Sequence, residues 1–289
     1  MVMIGEGKAT YQGETLDGAE ALKRAGLKPV VLSSKEGLIL LSGTTSVTAF
    51  ASLAIYDAQT LSLTADIAGS FTLEVLKGTL MAMDERLMAV RPHPDQINTA
   101  ANIRAILKDS PMLERYRGHR VQDALSIRCM PQLHGPVKKA VKDAQATLAI
   151  ELNSSVDNPL IFDEEDGGAV ALMGCNADGT YAGMASDNLC IAITDLCKMS
   201  NSRIDRLLNS LVSELPAFLN KNADFNNGLM MIQYASAGLQ GELRILAHPA
   251  VVDNLTTCAN QEDYVNMGYN AAKKAYDSMH LAKYILAAE

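Results

Sequence analysis

Three polar segments interrupt the apolar pattern of this sequence, and each carries a side chain that could bind or activate a small molecule. They are VQDALSIRCMPQ (residues 121–132), SSVDNPL (154–160) and CANQEDYVNMG (258–268). In the first segment Arg128 lies among Leu125 and Ile127, an unfavourable place for a guanidinium without an anionic partner. Because a guanidinium binds a planar carboxylate through two parallel hydrogen bonds, Arg128 is a candidate carboxylate-binding residue.

Each candidate residue also has an ordinary structural explanation. Arg128 could be an arginine at a helix terminus, and Asn158, which precedes Pro159, could be a turn residue. Glu262 could be a first-turn carboxylate that complements a helix dipole. Taken one at a time, these residues are compatible with any soluble helical protein. Helix bundles build their sites where such segments converge, so the three together favour a binding or catalytic site.

The composition restricts the class of protein. The chain has 289 residues, of which 48% are hydrophobic and 20% charged, enough for a substantial core. Its formal charge of −8 and the lack of a basic cluster with interleaved aromatic residues argue against nucleic-acid or membrane-surface binding. Five cysteines without a Cys-x-x-Cys pair predict a reducing, cytoplasmic setting. The five histidines show no metal-ligand spacing, so we expect no bound metal.

One uncharged stretch, residues 37–56, has the length of a membrane span. Its serine and threonine residues dilute its hydrophobicity. A helix that is buried on all sides is also apolar on all sides, so we predict a buried helix of a large bundle here.

The N-terminal residues predict a hairpin that turns at Gln12-Gly13, followed by a short helix that Asp17 caps and Gly26 ends. Helical periodicity and the proline positions predict helices over most of the remaining chain. These helices are expected to begin near Ser34 (extending to about Val90), Asp95, Pro131, Ser186-Asp187, Leu229 and Gln261. Arg203 suits the C-terminus of the fourth of these helices. The segment from Pro159 to the two glycines at 167–168 predicts an irregular loop with a small hairpin. The fold class is therefore all-α: a bundle of long helices with a small N-terminal hairpin and short irregular loops.

Six collinear segments resemble the histidine and aromatic amino-acid ammonia-lyase family, whose members carry a methylidene-imidazolone electrophile. They are IGEGKATYQGETLDGAEAL, SSKEGLILLSGTTS, HRVQDALSIRCMPQLHG, SSVDNPLIF, MASDNLCIAI and CANQEDYVNMG. They follow the family's order and spacing along essentially the whole chain, and NQED favours the histidine branch. The resemblance implies a helical fold assembled as a tetramer, with active sites that draw on several subunits. It also implies elimination of ammonia from a small α-amino acid to give an α,β-unsaturated acid.

The resemblance assigns roles to individual residues. Arg128 would bind the substrate carboxylate, and Asn158 would lie near that carboxylate and the electrophile. Gln122 would form a hydrogen bond in the neighbourhood of the electrophile. Glu262 would face the substrate amine or side chain, since a carboxylate can bind either an ammonium or an imidazole.

The chain departs from the family pattern at three substrate-binding positions. Ser42 stands where the family usually has asparagine, and Leu125 where it usually has tyrosine. Leu125 can neither donate nor transfer a proton. Ala177 replaces a larger pocket residue, which makes the expected pocket roomier.

The Ala-Ser-Gly tripeptide from which the family forms its electrophile does not occur in these residues. The match begins just downstream of that tripeptide, and the family's N-terminal region and C-terminal end lie outside it. We therefore expect residues 1–289 to form a single helical ammonia-lyase-like domain.

Two hypotheses follow. In the first, the chain is part of a homo- or hetero-oligomeric lyase, and a second chain or segment supplies the electrophile. In the second, it is a noncatalytic structural or regulatory paralogue; an aminomutase-type variant is a third possibility. Retention of Gln122, Arg128, Asn158 and Glu262 favours the first hypothesis, whereas Leu125 and Ser42 favour the second.

Overall fold

The computed structural model describes residues 1–222 and 225–289, and these divide into two compact units. The hairpin unit consists of residues 1–43 and 157–177, and the helical unit contains the rest of the described chain. The protein is mostly helical, which confirms the predicted fold class. The expectation of one domain over residues 1–289 stays a prediction.

The hairpin unit contains two small antiparallel sheets. Strand β1 (Lys8–Tyr11) pairs with β2 (Glu14–Asp17), and β3 (Leu160–Asp163) pairs with β4 (Ala169–Leu172). The helices of this unit are α1 (Gly18–Arg24) and α2 (Glu36–Ile39), and a 3-10 turn covers Val2–Ile4. Both hairpins lie where the sequence predicted them.

The predicted turn chemistry explains the first hairpin. Gln12 and Gly13 have φ angles of 49° and 85°, the left-handed backbone that a two-residue hairpin turn requires. Asp17 occupies the N-cap position of α1, although its side chain makes no capping hydrogen bond. Gly26, with φ of 72°, turns the chain just after α1.

The helical unit is built from four long helices and several short ones. Its helices are α3 (Thr45–Val75), α4 (Glu85–Ala89), α5 (Pro94–Ile106), α6 (Pro111–Arg115), α7 (Leu125–Arg128), α8 (Met130–Glu151), α9 (Thr180–Leu208), α10 (Ser210–Ser213), α11 (Met230–Leu246) and α12 (Gly268–Ala288). Short 3-10 turns lie at Leu80–Met83, Ala217–Leu219 and Cys258–Asn260. Helix α12 packs most extensively against α9 and α3.

Two hydrophobic clusters form the core of the helical unit. The larger joins α3, α8, α9 and α12, and its alanines, such as Ala54 and Ala275, let α3 and α12 approach closely. The smaller gathers Leu73, Ile103 and Ile127 around the end of α3. Because Ile127 belongs to α7, this smaller cluster anchors the turn that carries Arg128.

The prediction of one continuous helix from Ser34 to about Val90 is wrong. The chain forms α2, breaks at Gly43, whose φ is 86°, and begins α3 at Thr45. Leu38 and Leu41 are exposed, and in the later part of residues 37–56 Ala51 and Ala54 are buried whereas Leu53 and Tyr56 are exposed. This part of the chain is therefore buried on one face of α3 only, and the prediction of a helix buried on all sides is wrong. No helix in the described ranges is long and apolar enough to cross a membrane.

Two predicted helix starts are also corrected. Helix α9 begins at Thr180, six residues before Ser186, where the Asp178 carboxylate accepts a 2.9 Å hydrogen bond from the Thr180 N–H, and Asp187 lies inside the helix. The buried Asp187 carboxylate accepts hydrogen bonds from the backbone N–H groups of Ala250 and Val251, at 2.7 and 3.0 Å. Helix α12 begins at Gly268, well after the predicted Gln261. The loop that precedes α12 ends at Asn266, whose side-chain oxygen accepts a hydrogen bond from the Gly268 N–H.

A buried polar cluster joins α3, α5 and α8, and we call it the Asp66 cluster. Asp66 is 1% exposed; one oxygen lies 2.8 Å from His134 Nδ1 and the other accepts a 2.8 Å hydrogen bond from Asn102. Lys138 bonds both to Asp66 and to the Thr99 hydroxyl. Burial disfavours the Asp66 carboxylate, but the hydrogen bonds from His134 and Lys138 prevail and hold its pKa below 3.8.

The fully buried His134 predicts a pH dependence of stability. Burial lowers the pKa of His134 below 6.5, against the opposing effect of its hydrogen bond to Asp66. As the pH falls below about 6.5, the unfolded chain binds a proton that the folded chain does not, so stability falls. We expect His134→Gln to flatten the free energy of unfolding against pH between about pH 6.5 and 5, by up to about 1.4 kcal/mol per pH unit.

Urea unfolding at a series of pH values measures this slope. His93→Gln, which replaces an exposed histidine, serves as the matched control for the loss of an imidazole. An unchanged slope in His134→Gln would show that folding does not lower the pKa of His134.

Candidate active site

The short helix α7 presents two of the candidate residues. Ile127 is fully buried and fixes one face of α7 in the smaller core cluster, whereas Leu125 is 62% exposed. Just before α7, Asp123 is buried and its carboxylate accepts a 2.7 Å hydrogen bond from the Thr79 N–H. Ile127 and Asp123 therefore fix the turn on its core side, and Leu125 and the half-buried Arg128 remain accessible.

Arg128 has a donor, Nε, that the described helical unit leaves without an acceptor. Its Nη1 donates a 2.7 Å hydrogen bond to the side-chain oxygen of Gln122, so the structure brings these two predicted residues together. Arg128 Nε is buried and has no hydrogen-bond partner in the described residues of the helical unit. In the same part of the chain no carboxylate lies within 4.0 Å of the guanidinium. A guanidinium oriented by a neutral amide, with a desolvated unpaired donor, suits an external anion.

A charged cluster that the sequence reasoning missed fixes the chain just before Gln122. Glu214 accepts hydrogen bonds from Lys77 Nζ and Arg120 Nη2, at 2.7 and 2.8 Å, and lies 2.8 Å from His119 Nε2. Lys77 and then His119 are the main causes that lower the pKa of Glu214 to about 2. These residues are up to 137 positions apart in the sequence, so no local sequence pattern predicts the cluster.

Glu262 lies in an exposed loop and not in the first turn of a helix. Thr257 and Glu262 form an isolated antiparallel bridge, in which the Thr257 N–H donates to the Glu262 carbonyl at 2.8 Å. The Thr257 hydroxyl also donates to the Glu262 carboxylate, and this bond lowers the pKa of Glu262 below 4.5. Between them, Cys258, Ala259 and Asn260 have φ angles of 47°, 51° and 72°. Three consecutive non-glycine residues in the left-handed region mark a strained loop that carries an ionised carboxylate.

Within the described helical unit, no hydrogen bond joins Glu262 to Gln122 or Arg128. One chain thus presents an amide–guanidinium pair and, separately, a carboxylate.

Three candidate residues belong to the hairpin unit and are described within it. The Asn158 side-chain oxygen accepts a 2.8 Å hydrogen bond from the Gly174 N–H. The Ser42 hydroxyl donates to the Leu38 carbonyl at 2.9 Å, which satisfies it locally. Ala177 is half-buried at the end of this unit and contributes only a methyl group.

Lys35 is a further residue of the hairpin unit that sequence reasoning missed. Its ammonium bonds to the Asp157 carboxylate and to the Pro159 carbonyl, on either side of Asn158. The hydrogen bond from Lys35 lowers the pKa of the Asp157 carboxyl, so this lysine–aspartate pair stays charged. Lys35 therefore fixes the backbone that presents Asn158.

The groove between three helices of the helical unit lies away from these residues. A groove of about 660 Å³ runs between α8, α9 and α11 and is lined by Gln132, Asn188 and Gln240, among others. None of the candidate residues lines it. Across the two described ranges, no group of three histidine, cysteine or acidic side chains is placed to hold a metal ion.

Comparison with known proteins gives one consistent result. The sequence matches the model of the family described as aromatic amino acid lyase over residues 1–289. A histidine ammonia-lyase of Alkaliphilus metalliredigens is 48% identical over 275 residues, which are 95% of this chain and 54% of that protein. A histidine ammonia-lyase of Caldanaerobacter subterraneus subsp. tengcongensis is 43% identical over 289 residues, which are 100% of this chain and 56% of that protein.

Solved structures give the same fold. Histidine ammonia-lyase from Trypanosoma cruzi superimposes with a TM-score of 0.89 at 35% identity, covering 99% of this chain and 54% of that one. Pantoea agglomerans phenylalanine aminomutase superimposes with a TM-score of 0.90 at 34% identity, covering 99% and 59%. The chain spans about half the length of the curated relatives it matches.

Proposed function

Because the chain belongs to the aromatic amino acid lyase family, we propose that it is part of a histidine-type ammonia-lyase. This enzyme eliminates ammonia from an α-amino acid and gives an α,β-unsaturated acid. The carrying observation is Arg128, a guanidinium held by Gln122 with a buried unpaired donor, in a chain 48% identical to a histidine ammonia-lyase. The proposed setting is a cytoplasmic homo- or hetero-oligomer that acts on a small amino acid.

Arg128 binds and orients the substrate in this proposal. A carboxylate placed against Nε and the remaining Nη of Arg128 would satisfy the donor that the described residues of the helical unit leave unpaired. Gln122 fixes the rotation of the guanidinium plane because its oxygen already accepts from Nη1. Two parallel charged hydrogen bonds fix the position of the substrate backbone, and binding energy of this kind is what places a reacting bond correctly.

The residues of α7 and its approach fit a methylidene-imidazolone, whose precursor tripeptide is absent from this chain. In the described helical unit, the Gln122 amide NH2 makes no hydrogen bond and the side chain is exposed, so it can donate to a ring carbonyl. When bound there, the group supplies an electrophilic carbon. A second chain or segment provides it in this proposal.

Glu262 supplies a negative charge that binds the other end of the substrate in this proposal. With its pKa lowered by Thr257, the carboxylate is ionised at neutral pH. It can therefore accept a hydrogen bond from a substrate ammonium or imidazole. Asn158 is proposed to lie near the substrate carboxylate, and Ser42, Leu125 and Ala177 to line the pocket.

The test is purification from the native source, followed by mass spectrometry of every associated chain and an assay of ammonia release. We expect a co-purifying chain or segment that carries Ala-Ser-Gly and has lost water, and ammonia release from histidine by the assembly. We also expect the intact mass of residues 1–289 to show no such loss. An isolated chain without a partner that releases no ammonia from any amino acid would refute the proposal.

The exposed Leu125 supports a second candidate function. Leu125 stands at the surface of α7 where the family usually places a tyrosine, and leucine cannot transfer a proton. A noncatalytic paralogue would keep the helical scaffold and lose the tyrosine hydroxyl at this position. Binding of the amino acid without ammonia release in the native assembly would favour that function, and release of a rearranged amino acid would favour an aminomutase.

A further inference from the structure

Arg203 is the largest fully buried side chain of the protein's described residues. It lies on α9, and its Nε and Nη2 donate to the two carboxylate oxygens of Glu289, at the end of α12. Both side chains are 0% exposed. A charged pair removed from water in this way is costly unless its geometry is good and its other polar atoms are satisfied.

The Glu289 carboxylate meets that condition. Its Oε1 accepts a 2.9 Å hydrogen bond from the Thr72 hydroxyl, and its Oε2 accepts one of 2.6 Å from the Ser200 hydroxyl. With the two bonds from Arg203, four donors surround the carboxylate. The pair therefore fixes the guanidinium of Arg203 with respect to α3, α9 and α12.

The third nitrogen of Arg203 reaches the candidate active site. Nη1 donates a 3.1 Å hydrogen bond to the backbone carbonyl of Ser126 in α7. Helix α7 has only four residues. A helix this short cannot be stable by itself, because its few hydrogen bonds do not offset the free-energy cost of nucleating the first turn. The orientation of α7 therefore depends on tertiary contacts: the burial of Ile127, the Asp123–Thr79 bond just before it, and this bond from Arg203.

Gly69 of α3 makes room for this arrangement. A Cβ atom at position 69 would lie 2.4 Å from the Met130 sulfur and 3.5 Å from the Arg203 guanidinium carbon. Met130 begins α8, and only Cys129 separates it from α7, so α3 accommodates both the guanidinium and the junction between α7 and α8.

We propose that Arg203 is a positioning residue for Arg128, because it fixes the Ser126 carbonyl and so the orientation of the turn that presents the guanidinium. The functional side of this inference rests on the proposed role of Arg128 in binding a substrate carboxylate. Arg203 itself touches no substrate, since it is fully buried. Without its bond to Ser126, α7 keeps the Ile127 anchor and the Asp123–Thr79 bond at its start, but loses the contact that fixes the Ser126 carbonyl next to Arg128.

The test compares Arg203→Lys with Arg206→Lys in the full chain by amide hydrogen exchange. Lysine keeps the charge, but its single ammonium cannot serve Glu289 and Ser126 together in the fork geometry of arginine. The reporters are the N–H groups of Ile127, Arg128 and Cys129, which bond to the carbonyls at 124 and 125. Arg206 lies one turn further along α9, and within the described helical unit it makes no hydrogen bond to α7.

We expect exchange of these three amides to be about tenfold faster in Arg203→Lys, and unchanged in Arg206→Lys. In the assembled enzyme, Arg203→Lys should raise KM for the amino acid about tenfold, with a smaller change in kcat. Glu289→Gln keeps the shape of the pair and weakens its charge, so it should show the same exchange effect to a lesser degree. It serves as the second variant if Arg203→Lys does not fold.

Unchanged exchange at residues 127–129, with a lowered melting temperature, would overturn the proposal and leave Arg203 as part of the core alone. An unchanged KM beside faster exchange would also overturn it. An assembly of the wild-type chain that releases no ammonia refutes the proposed function instead. The exchange experiment still decides what Arg203 does to α7 in that case.

Discussion

Replacement of Arg128 with alanine is expected to raise KM for the amino-acid substrate about 30-fold to 1000-fold in the assembled enzyme, or about 2–4 kcal/mol. The reason is the loss of two charged hydrogen bonds to the substrate carboxylate in a partly desolvated position. Arg128 pairs with no carboxylate of the described helical unit, so the truncation leaves no buried acidic partner behind. The folded chain should therefore keep its stability, and the defect should be confined to binding. Steady-state kinetics of ammonia release, with thermal unfolding alongside, measure both.

Two variants control this experiment. Arg128→Lys keeps the charge but cannot make the bidentate contact, so its KM should lie between those of the wild type and the alanine variant. Arg117→Ala removes an exposed arginine whose partner is Glu114, three residues earlier, and should leave KM unchanged. If Arg128→Ala keeps the wild-type KM, Arg128 has a structural role and the carboxylate is bound elsewhere.

Asp66→Ala is expected to lower the free energy of unfolding by about 3–5 kcal/mol at neutral pH. Asp66 is the anion at the centre of a cluster in which His134 and Lys138 are themselves buried. Its removal leaves the Lys138 ammonium without an opposite charge, and breaks the bonds of His134 and Asn102 as well. Because Asp66 joins α3, α5 and α8, the loss affects the whole helical unit. Urea unfolding followed by circular dichroism measures it.

The matched control is another aspartate on a helix of the same unit. Asp143 pairs with Lys139 on α8, and both side chains are more than half exposed. Exposed pairs of this kind contribute little, so Asp143→Ala should change the free energy of unfolding by less than about 1 kcal/mol. Equal losses in the two variants would mean that the buried cluster contributes no more than a surface pair.

Local patterns predicted those parts of the fold that depend on local physics. The turn at Gln12-Gly13 needs residues that tolerate the left-handed region, and the sequence places them there. Helix α5 begins at Pro94, close to the predicted start at Asp95, because proline suits the first helical turn. The continuous helix predicted beyond Ser34 failed, because apolar composition alone does not distinguish a buried helix from an exposed turn with the same residue types.

Long-range contacts explain what the sequence could not predict. Arg203 was expected to complement a helix dipole, yet it forms a buried pair with Glu289, 86 residues away. Nothing in the residues around either side chain specifies that partner. The candidate site shows the same limit: the resemblance placed Gln122 and Arg128 in one site, but only the structure shows that they bond to each other. The roles of Asn158, Ser42, Leu125, Ala177 and Glu262 stay predictions.

The three left-handed residues before Glu262 have a consequence for how this sequence can change. Each such conformation costs of order 1 kcal/mol or more for a residue with a side chain, and glycine avoids that cost. A search for more stable variants would therefore select glycine at Cys258, Ala259 and Asn260. The same changes would loosen the segment that aims the Glu262 carboxylate. Under the role proposed for Glu262, thermostability and binding impose opposite demands on these three positions, so a ranking by stability alone would choose against the proposed site.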